Sequence, residues 1–247
     1  MRVALCFWGL CRSTHLTHAS IEKYIFSVLK DAGIKYDVYL HTYTFYRAYT
    51  NFRANEINIQ LKNTNWKLLK PIKYCIEHQD TIDVQLNLEK YRAQGDPWKY
   101  NIEHDPTPFS TLDNHIRALW SLNQVTNLWT SSDVSYDRII YLRPDVEYMV
   151  PFNINWITSP IKNTILIPSF QHIYNCNDRF AIGTPEAMKL YGERFHVAYQ
   201  YSLKKSLHSE GFLADYMNIN GYTFSSIPFS FRRIRADGRV QEGDRNI

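Results

Sequence analysis

Apolar positions follow two rhythms along this chain. The first is the unbroken run "RVALCFW" (residues 2–8), rich in strand formers, which is the pattern of a strand covered on both faces. It stops at Gly9. Ser13 or Thr14 then suits an N-cap, the apolar residues Ile21, Tyr24, Ile25, Val28 and Leu29 recur at helical spacing, and Gly33 is placed to end the helix. "YDVYLHTY" (36–43) returns to the strand rhythm. Strand, helix and strand in this order predict the βαβ unit of a parallel sheet.

From 44 to 112 the pattern loosens. This stretch holds many asparagines, one strand-like run in "IKYCIE" (72–77), and the turn-rich "AQGDPW" (93–98) and "HDPTPFS" (104–110). Long loops between ordered elements are usually functional or mobile. Periodicity resumes in a helix over 113–129, where Ile116, Leu119 and Trp120 start an apolar face, and "DRIIYLRPDVEY" (137–148) reads as the clearest strand. "TILIPS" (164–169) follows as another strand. "DRFAIG" (178–183) leads into Thr184 as N-cap and Pro185 as first helical residue of a helix reaching about Leu203. A last helix begins at Ser209 and Glu210 and ends near Gly221, before the strand-like "YTFSSIPFSF" (222–231) and an arginine-rich tail. The alternation predicts an α/β fold with a mostly parallel central sheet flanked by helices. Such Rossmann-like folds bind ligands beyond the carboxyl ends of their strands.

Composition agrees with a real core: 45% hydrophobic and 15% aromatic residues argue against disorder, and a length of 247 suits one large domain or two small ones, with a single domain over 1–247 as the expectation. The net charge of +4 is spread along the chain, so charge does not imply nucleic acid or a membrane surface. No run approaches the length of a membrane span, and the N-terminus enters a strand rather than a leader. A soluble, cytoplasmic chain without a membrane span is the expectation. Cysteines at 6, 11, 75 and 176 form no close-spaced pattern, which fits a reducing compartment. Cys6, Cys11, His15 and His18 are four zinc-ligand types, but Cys6 sits in a buried strand and the spacing lacks a finger's turn, so packing is the better reading.

Three strand exits remain as candidate chemistry: "WGLCRS", "LRPDVE" and "NDRFAIG". If the strand persists past Pro144, period-two geometry puts Arg143, Asp145 and Glu147 on one side. Two carboxylates so placed can hold Mg²⁺ or Mn²⁺ against a diphosphate, and an arginine fork can bind the diphosphate directly. The simpler alternative pairs Arg143 with Asp145 in solvent.

These motifs occur in an order that resembles GT-A nucleotide-sugar glycosyltransferases, specifically bacterial and viral polysaccharide enzymes with Arg-Pro-Asp in place of the usual acidic motif. The likeness runs through "FWGLCRS", "YDVYLHTY", "YDRIIYLRPDVEY", "DRFAIGTPEAM" and "SEGFLADYMNINGY", and covers most of the chain outside 44–112. It implies transfer of a sugar from a nucleotide-diphosphate donor to a glycan hydroxyl, with Gly9 to Ser13 under the nucleotide and Arg12 near the base or diphosphate. Asp145 matches the aspartate that contacts the metal. Arg143 replaces the first aspartate, which leaves two expectations open: Arg143 supplies the charge the ion otherwise brings, or Asp145 and Glu147 still hold Mn²⁺ or Mg²⁺. Asp178 matches the acceptor side as a binder of a sugar hydroxyl, the loops of 44–112 are candidates for the same side, and Glu210 resembles the general base of inverting members.

Each has a plainer alternative. Glu210 also suits a first-turn carboxylate favoured by the helix dipole, and Asp178 a turn residue. Arg232 and Arg235, directly after a strand, are candidates to close over a diphosphate, whereas Arg233 and Arg239 read as solvated. His41 at the second strand exit is a candidate nucleotide neighbour or a hydrogen-bonded core histidine. Eighteen tyrosines and six tryptophans offer stacking faces for sugar or base. Two rivals share the architecture: a sugar nucleotidyltransferase, which calls for a glycine-rich basic loop where "GLCRSTH" has one glycine and one arginine, and a non-catalytic glycan- or protein-binding module. Association with other glycosyltransferase modules is a further expectation.

Overall fold

The computed structural model describes residues 1–98 and 108–244. The chain opens with β1 (Arg2–Phe7), then α1 (Thr14–Ile21), a π-helical segment (Glu22–Phe26), α2 (Ser27–Asp31) and β2 (Lys35–Thr44). The βαβ reading holds, and β1 and β2 pair in parallel from Arg2↔Lys35 to Phe7↔Leu40. Gly33 ends α2 as expected. Its φ is +68°, and the Ile34 N–H reaches the Leu29 carbonyl while the Gly33 N–H reaches that of Lys30, a Schellman cap that needs a left-handed residue.

The loosely patterned stretch is more ordered than its sequence. It forms a hairpin of β3 (Tyr49–Asn51) and β4 (Glu56–Ile59), then β5 (Lys73–His78), which is the "IKYCIE" strand, and α3 (Gln79–Leu86). The turn-rich segment at 104–110 lies, as far as residue 107, outside the described residues. Next come α4 (Ser110–Thr130), β6 (Arg138–Leu142), β7 (Val146–Tyr148), α5 (Asn155–Thr158), β8 (Thr164–Pro168), β9 (Ala181–Gly183), α6 (Pro185–Glu193), α7 (Phe195–Ser202), α8 (Ser209–Ile219), β10 (Thr223–Ile227) and β11 (Phe231–Arg233).

Seven strands make one sheet in the order β10-β8-β9-β6-β1-β2-β5. It is parallel except for β9, which runs antiparallel to both β6 and β8. No helix intervenes between β8 and β9, and without a crossover the chain returns in the opposite sense. Three expected single elements are each divided in two. "DRIIYLRPDVEY" breaks around Pro144 and "YTFSSIPFSF" around Pro228, where no N–H is available to continue the ladder. Their second halves, β7 and β11, pair with each other outside the main sheet, Tyr148 opposite Phe231. The helix expected over 185–203 is interrupted at Arg194, which is 1% exposed and donates to the Tyr191 carbonyl at 2.6 Å.

Strand alternation builds the two cores. Val3, Leu5 and Phe7 face Ile21, Ile25 and Leu29 on one side of the sheet. Ala4, Cys6 and Trp8 share the other side with Leu122 and Val125 of α4, Met188 of α6 and Leu213 of α8. The result is three layers, helix on sheet on helix. A third cluster, including Tyr43, Trp98, Ile116 and Phe212, lies beyond the β2 exit. All four cysteines are free thiols. Among the described residues, no helix is long and apolar enough to cross a membrane.

Helix α6 approaches α4 through Gly192. A Cβ built there would lie 1.9 Å from Thr126 Oγ1 and 2.5 Å from the Tyr141 hydroxyl, two groups already hydrogen-bonded to each other at 2.6 Å. Gly192→Ala is therefore expected to destabilise the protein by about 1–3 kcal/mol, the cost of overpacking a filled core, with a lowered midpoint in urea unfolding. An unchanged midpoint would mean the two helices part easily.

Candidate functional site

The chain builds outward from β1 through β2 to β5, and then returns to the other side of β1 with β6. That reversal leaves a crevice at the carboxyl ends of β1 and β6, the place where open α/β sheets hold ligands. A cavity of about 350 Å³ opens there, lined by Trp8, Gly9 and Arg12 from the β1 exit and Arg143 from the β6 exit.

One buried carboxylate organises this crevice. Asp145 is wholly buried and receives three charged hydrogen bonds. Arg143 grips it with two, at 2.8 Å each, and Arg12 Nη2 donates a third at 2.6 Å. Burial alone would raise the Asp145 pKa, but the Arg143 and Arg12 guanidiniums outweigh it and hold the carboxyl well below the usual range. Arg12 also donates to Tyr49 and to the buried Glu56, at 3.1 and 3.0 Å. Glu56 in turn accepts from the Ala236 N–H at 2.7 Å, so the β3–β4 hairpin and the C-terminal segment close over the same cluster.

A second pair of carboxylates faces the cavity. Asp178 follows β8, and Glu210 stands in the first turn of α8 at 4% exposure. Burial first, and then the charge of Asp178, push Glu210 up to about 7; its Oε2 accepts a bond from the Ser209 hydroxyl. Glu210 is thus poised to exchange a proton near neutrality. Around it the wall is polar but incompletely paired. Trp8 Nε1, Thr111 Oγ1 and His115 Nε2 are buried lining atoms without a hydrogen-bond partner among the described residues. Burial lowers His115 to about 3, so its ring is neutral. Such orphaned groups are costly unless a ligand or water meets them.

Of the residues singled out in the sequence, Gly9, Arg12, Arg143, Asp178, Glu210 and Arg235 line the cavity, with Asp145 directly behind two of them. Four others are placed elsewhere. Ser13 is buried, its hydroxyl donating to the Ile234 carbonyl at 2.7 Å. His41 lies behind the Gly9 turn, whose N–H donates to Ser121 Oγ at 2.7 Å. The His41 Nδ1 lies 2.7 Å from that hydroxyl and Nε2 lies 2.8 Å from Glu77. Burial keeps the ring neutral against the pull of Glu77, so Nε2–H donates to the carboxylate and Nδ1 accepts from Ser121. Glu147 turns away to Arg232 at 2.6 Å on the β7–β11 ribbon, and neither lines the cavity. The strand does not persist past Pro144, so Asp145 and Glu147 do not share a face directed at a ligand.

The donor set does not fit a divalent cation. Both Asp145 oxygens are engaged by guanidiniums, which stand where an ion would have to approach. His41, Cys75 and Glu77 offer ligand atoms within 4.8 Å of one another, but both His41 nitrogens are hydrogen-bonded and Glu77 also accepts from Trp120 at 2.6 Å. That group is satisfied without an ion.

The largest surprise is the number of arginines. Arg53, Arg117, Arg179 and Arg233 join Arg12, Arg143 and Arg235 on the wall. Arg233, read as solvated, lies inward because alternation along β11 sends Arg232 to Glu147 and Arg233 to the opposite side, where it pairs with Asp244. Arg53, Trp98 and Thr111 come from the stretch of weakest pattern, where nothing in the spacing marked them, and His115 from the helix expected over 113–129, where periodicity marked only the apolar face. Arg179 did have a signal, its place beside Asp178 in the quoted strand entry.

A scan against protein-family models finds no match, and no curated protein matches the chain. The geometry therefore carries the functional argument.

Asp145→Ala strips Arg143 of its ion-pair partner and leaves buried Arg12 with Glu56 alone, and is expected to destabilise by about 3–5 kcal/mol. Glu147→Ala breaks a half-exposed pair and should cost at most about 1 kcal/mol. Urea unfolding of both variants measures the contrast. Because the folded state depresses the Asp145 pKa, its contribution is present above about pH 4 and is lost progressively as pH falls below it. Equal losses in the two variants would show that Asp145 does not organise the crevice.

Proposed function

We propose that the chain is a GT-A-like glycosyltransferase that moves a sugar from a nucleoside-diphosphate donor to a hydroxyl of a glycan acceptor, with inversion. The observation that carries this reading is one cavity at the β1/β6 crevice with arginines on its wall and, facing them, a buried carboxylate poised near neutral pH. Glycosyl transfer needs both. The bond from the anomeric carbon to the phosphate oxygen breaks, and guanidiniums aimed at the departing diphosphate stabilise its growing charge. The bond from the acceptor oxygen to that carbon forms, and Glu210 takes the acceptor's proton.

In this reading the nucleoside lies over the Gly9–Arg12 turn. Gly9 has φ of +90°, a backbone that favours glycine and leaves the turn without a side chain at that point. Asp178, beside Glu210, holds a sugar hydroxyl and by its charge keeps the base from ionising too early. Trp98, 5.8 Å from the His115 ring, offers an aromatic face for the acceptor sugar. His115, neutral and unpartnered at Nε2, is available to a sugar hydroxyl. A nucleotidyltransferase would need phosphate-binding backbone at the first turn, and that turn has one glycine with its N–H already given to Ser121.

The test incubates the protein with a panel of nucleotide sugars, with and without glycan acceptors, and measures released nucleoside diphosphate. Release that depends on the acceptor is expected. Glu210→Gln should lower it by about 10²- to 10⁴-fold while donor binding is kept. Since the base must be ionised, wild-type turnover under subsaturating substrate should rise with pH through about 7 and level off above it. No release from any donor would leave a binding module as the reading. Full activity in Glu210→Gln would remove this residue from the mechanism.

A further inference from the structure

Carboxylates do not balance the arginines of the cavity one for one. Arg117 is matched by Asp83 and Arg233 by Asp244, each through paired hydrogen bonds. Arg12, Arg143 and Arg235 share only two carboxylates, Asp145 and Glu56, and Arg235 is the poorest served: its fork rests on the neutral Gln241, with Glu56 at 3.7 Å. Arg179 donates to the neutral Gln171, and Arg53 lies 5.8 Å from the Trp98 ring; neither has a carboxylate within ion-pair distance among the described residues.

The three underserved arginines converge. Burial lowers the pKa of each, and in all three the positive charge of Arg233 lowers it further, for Arg235 behind that of Arg12. Guanidiniums do not lose their protons in the physiological range. Carboxylates such as Asp178, Glu210 and Glu56 offset part of this crowding, but the net effect at each arginine still disfavours its charge, which a bound anion would relieve. Arg12, 6% exposed, adds a buried Nε–H with no acceptor among the described residues. The carboxylate that would otherwise hold a metal at the diphosphate, Asp145, has both oxygens occupied by arginines.

We propose that Arg53, Arg179 and Arg235, grouped about Arg233, bind the donor's diphosphate directly, so that this protein takes a nucleoside diphosphate without a divalent cation. The inference rests on the transferase reading for the identity of the anion. It rests on the charge arrangement alone for cation-free binding. A nucleoside diphosphate brings about three negative charges, which suits two cations without an ion-pair carboxylate among the described residues, a third, Arg235, that only shares Glu56 at 3.7 Å, and the bidentate guanidinium–phosphate geometry.

The experiment titrates the full chain by calorimetry with inorganic pyrophosphate and with uridine, guanosine, cytidine and adenosine diphosphates, in EDTA and again with Mn²⁺. At least one nucleoside diphosphate should bind in EDTA with an affinity within about threefold of that with Mn²⁺. Arg179→Gln and Arg53→Gln should each weaken it by about 10- to 100-fold, the worth of a charged hydrogen bond. Both residues are at least partly exposed, and thermal unfolding checks that the variants stay folded. Binding or sugar transfer only in Mn²⁺ overturns this proposal and keeps the transferase. Pyrophosphate binding in EDTA that both variants weaken, with no sugar released from any donor, keeps the cation-free anion site and overturns the transferase. Binding unchanged in both variants overturns the arginine assignment.

Discussion

The site depends on a negative charge that water cannot reach. Asp145 is buried between Arg12 and Arg143, and those arginines arrive from different strand exits. Stripping solvent from such ions costs several kcal/mol each, and only dense mutual hydrogen bonding offsets it. The cluster therefore constrains its neighbourhood. The β1 turn must deliver Arg12, β6 must stop at Pro144 so that Asp145 can turn inward, and the β3–β4 hairpin must bring Glu56. The C-terminal segment is tied to the same point, since the Ile234 N–H donates to the Asp145 carbonyl at 2.9 Å. Segments more than two hundred residues apart in sequence are thus fixed against one another.

The same constraint shapes the chemistry. A carboxylate committed to two arginines is a poor metal ligand but a good device for presenting guanidiniums at fixed positions. It holds the Arg12 and Arg143 forks without using all their donors. On the far wall the logic reverses: burial and Asp178 outweigh the Ser209 hydroxyl and the charge of Arg179, and Glu210 keeps its proton near neutrality. One site thereby contains a carboxylate that stays ionised at neutral pH and another that readily takes a proton there. That separation of roles is what acid–base chemistry beside an anionic leaving group requires.

The supporting structure is more conventional, and it serves the site by stiffness. His41 lends no atom to the cavity, yet through Ser121 it holds the Gly9 N–H, and through Glu77 it joins β2 to β5 and to Trp120 of α4. The turn beneath the proposed nucleotide is therefore braced from behind by a neutral, fully hydrogen-bonded histidine.

What the sequence by itself determined was local and periodic. Strand alternation in "RVALCFW" and "YDVYLHTY", helical spacing after Ser13, the glycine stop at 33 and the Thr184-Pro185 start are all expressed in the fold, because each depends on residues within a turn or two of one another. Two of the three strand exits named in advance, those after β1 and β6, meet at one crevice, since parallel α/β topology gathers carboxyl ends on one edge. The third, "NDRFAIG", is not an exit but the entry of antiparallel β9, whose reversed sense brings its amino end to the same edge. Which residues face that crevice was decided only by tertiary structure. Proline interrupted two apparent strands and sent Glu147 and Arg232 to a separate ribbon, and alternation on that ribbon turned Arg233 inward. Arg53, Trp98 and Thr111 reached the site from a stretch with little periodicity, because contacts between distant segments leave no spacing in the chain to read.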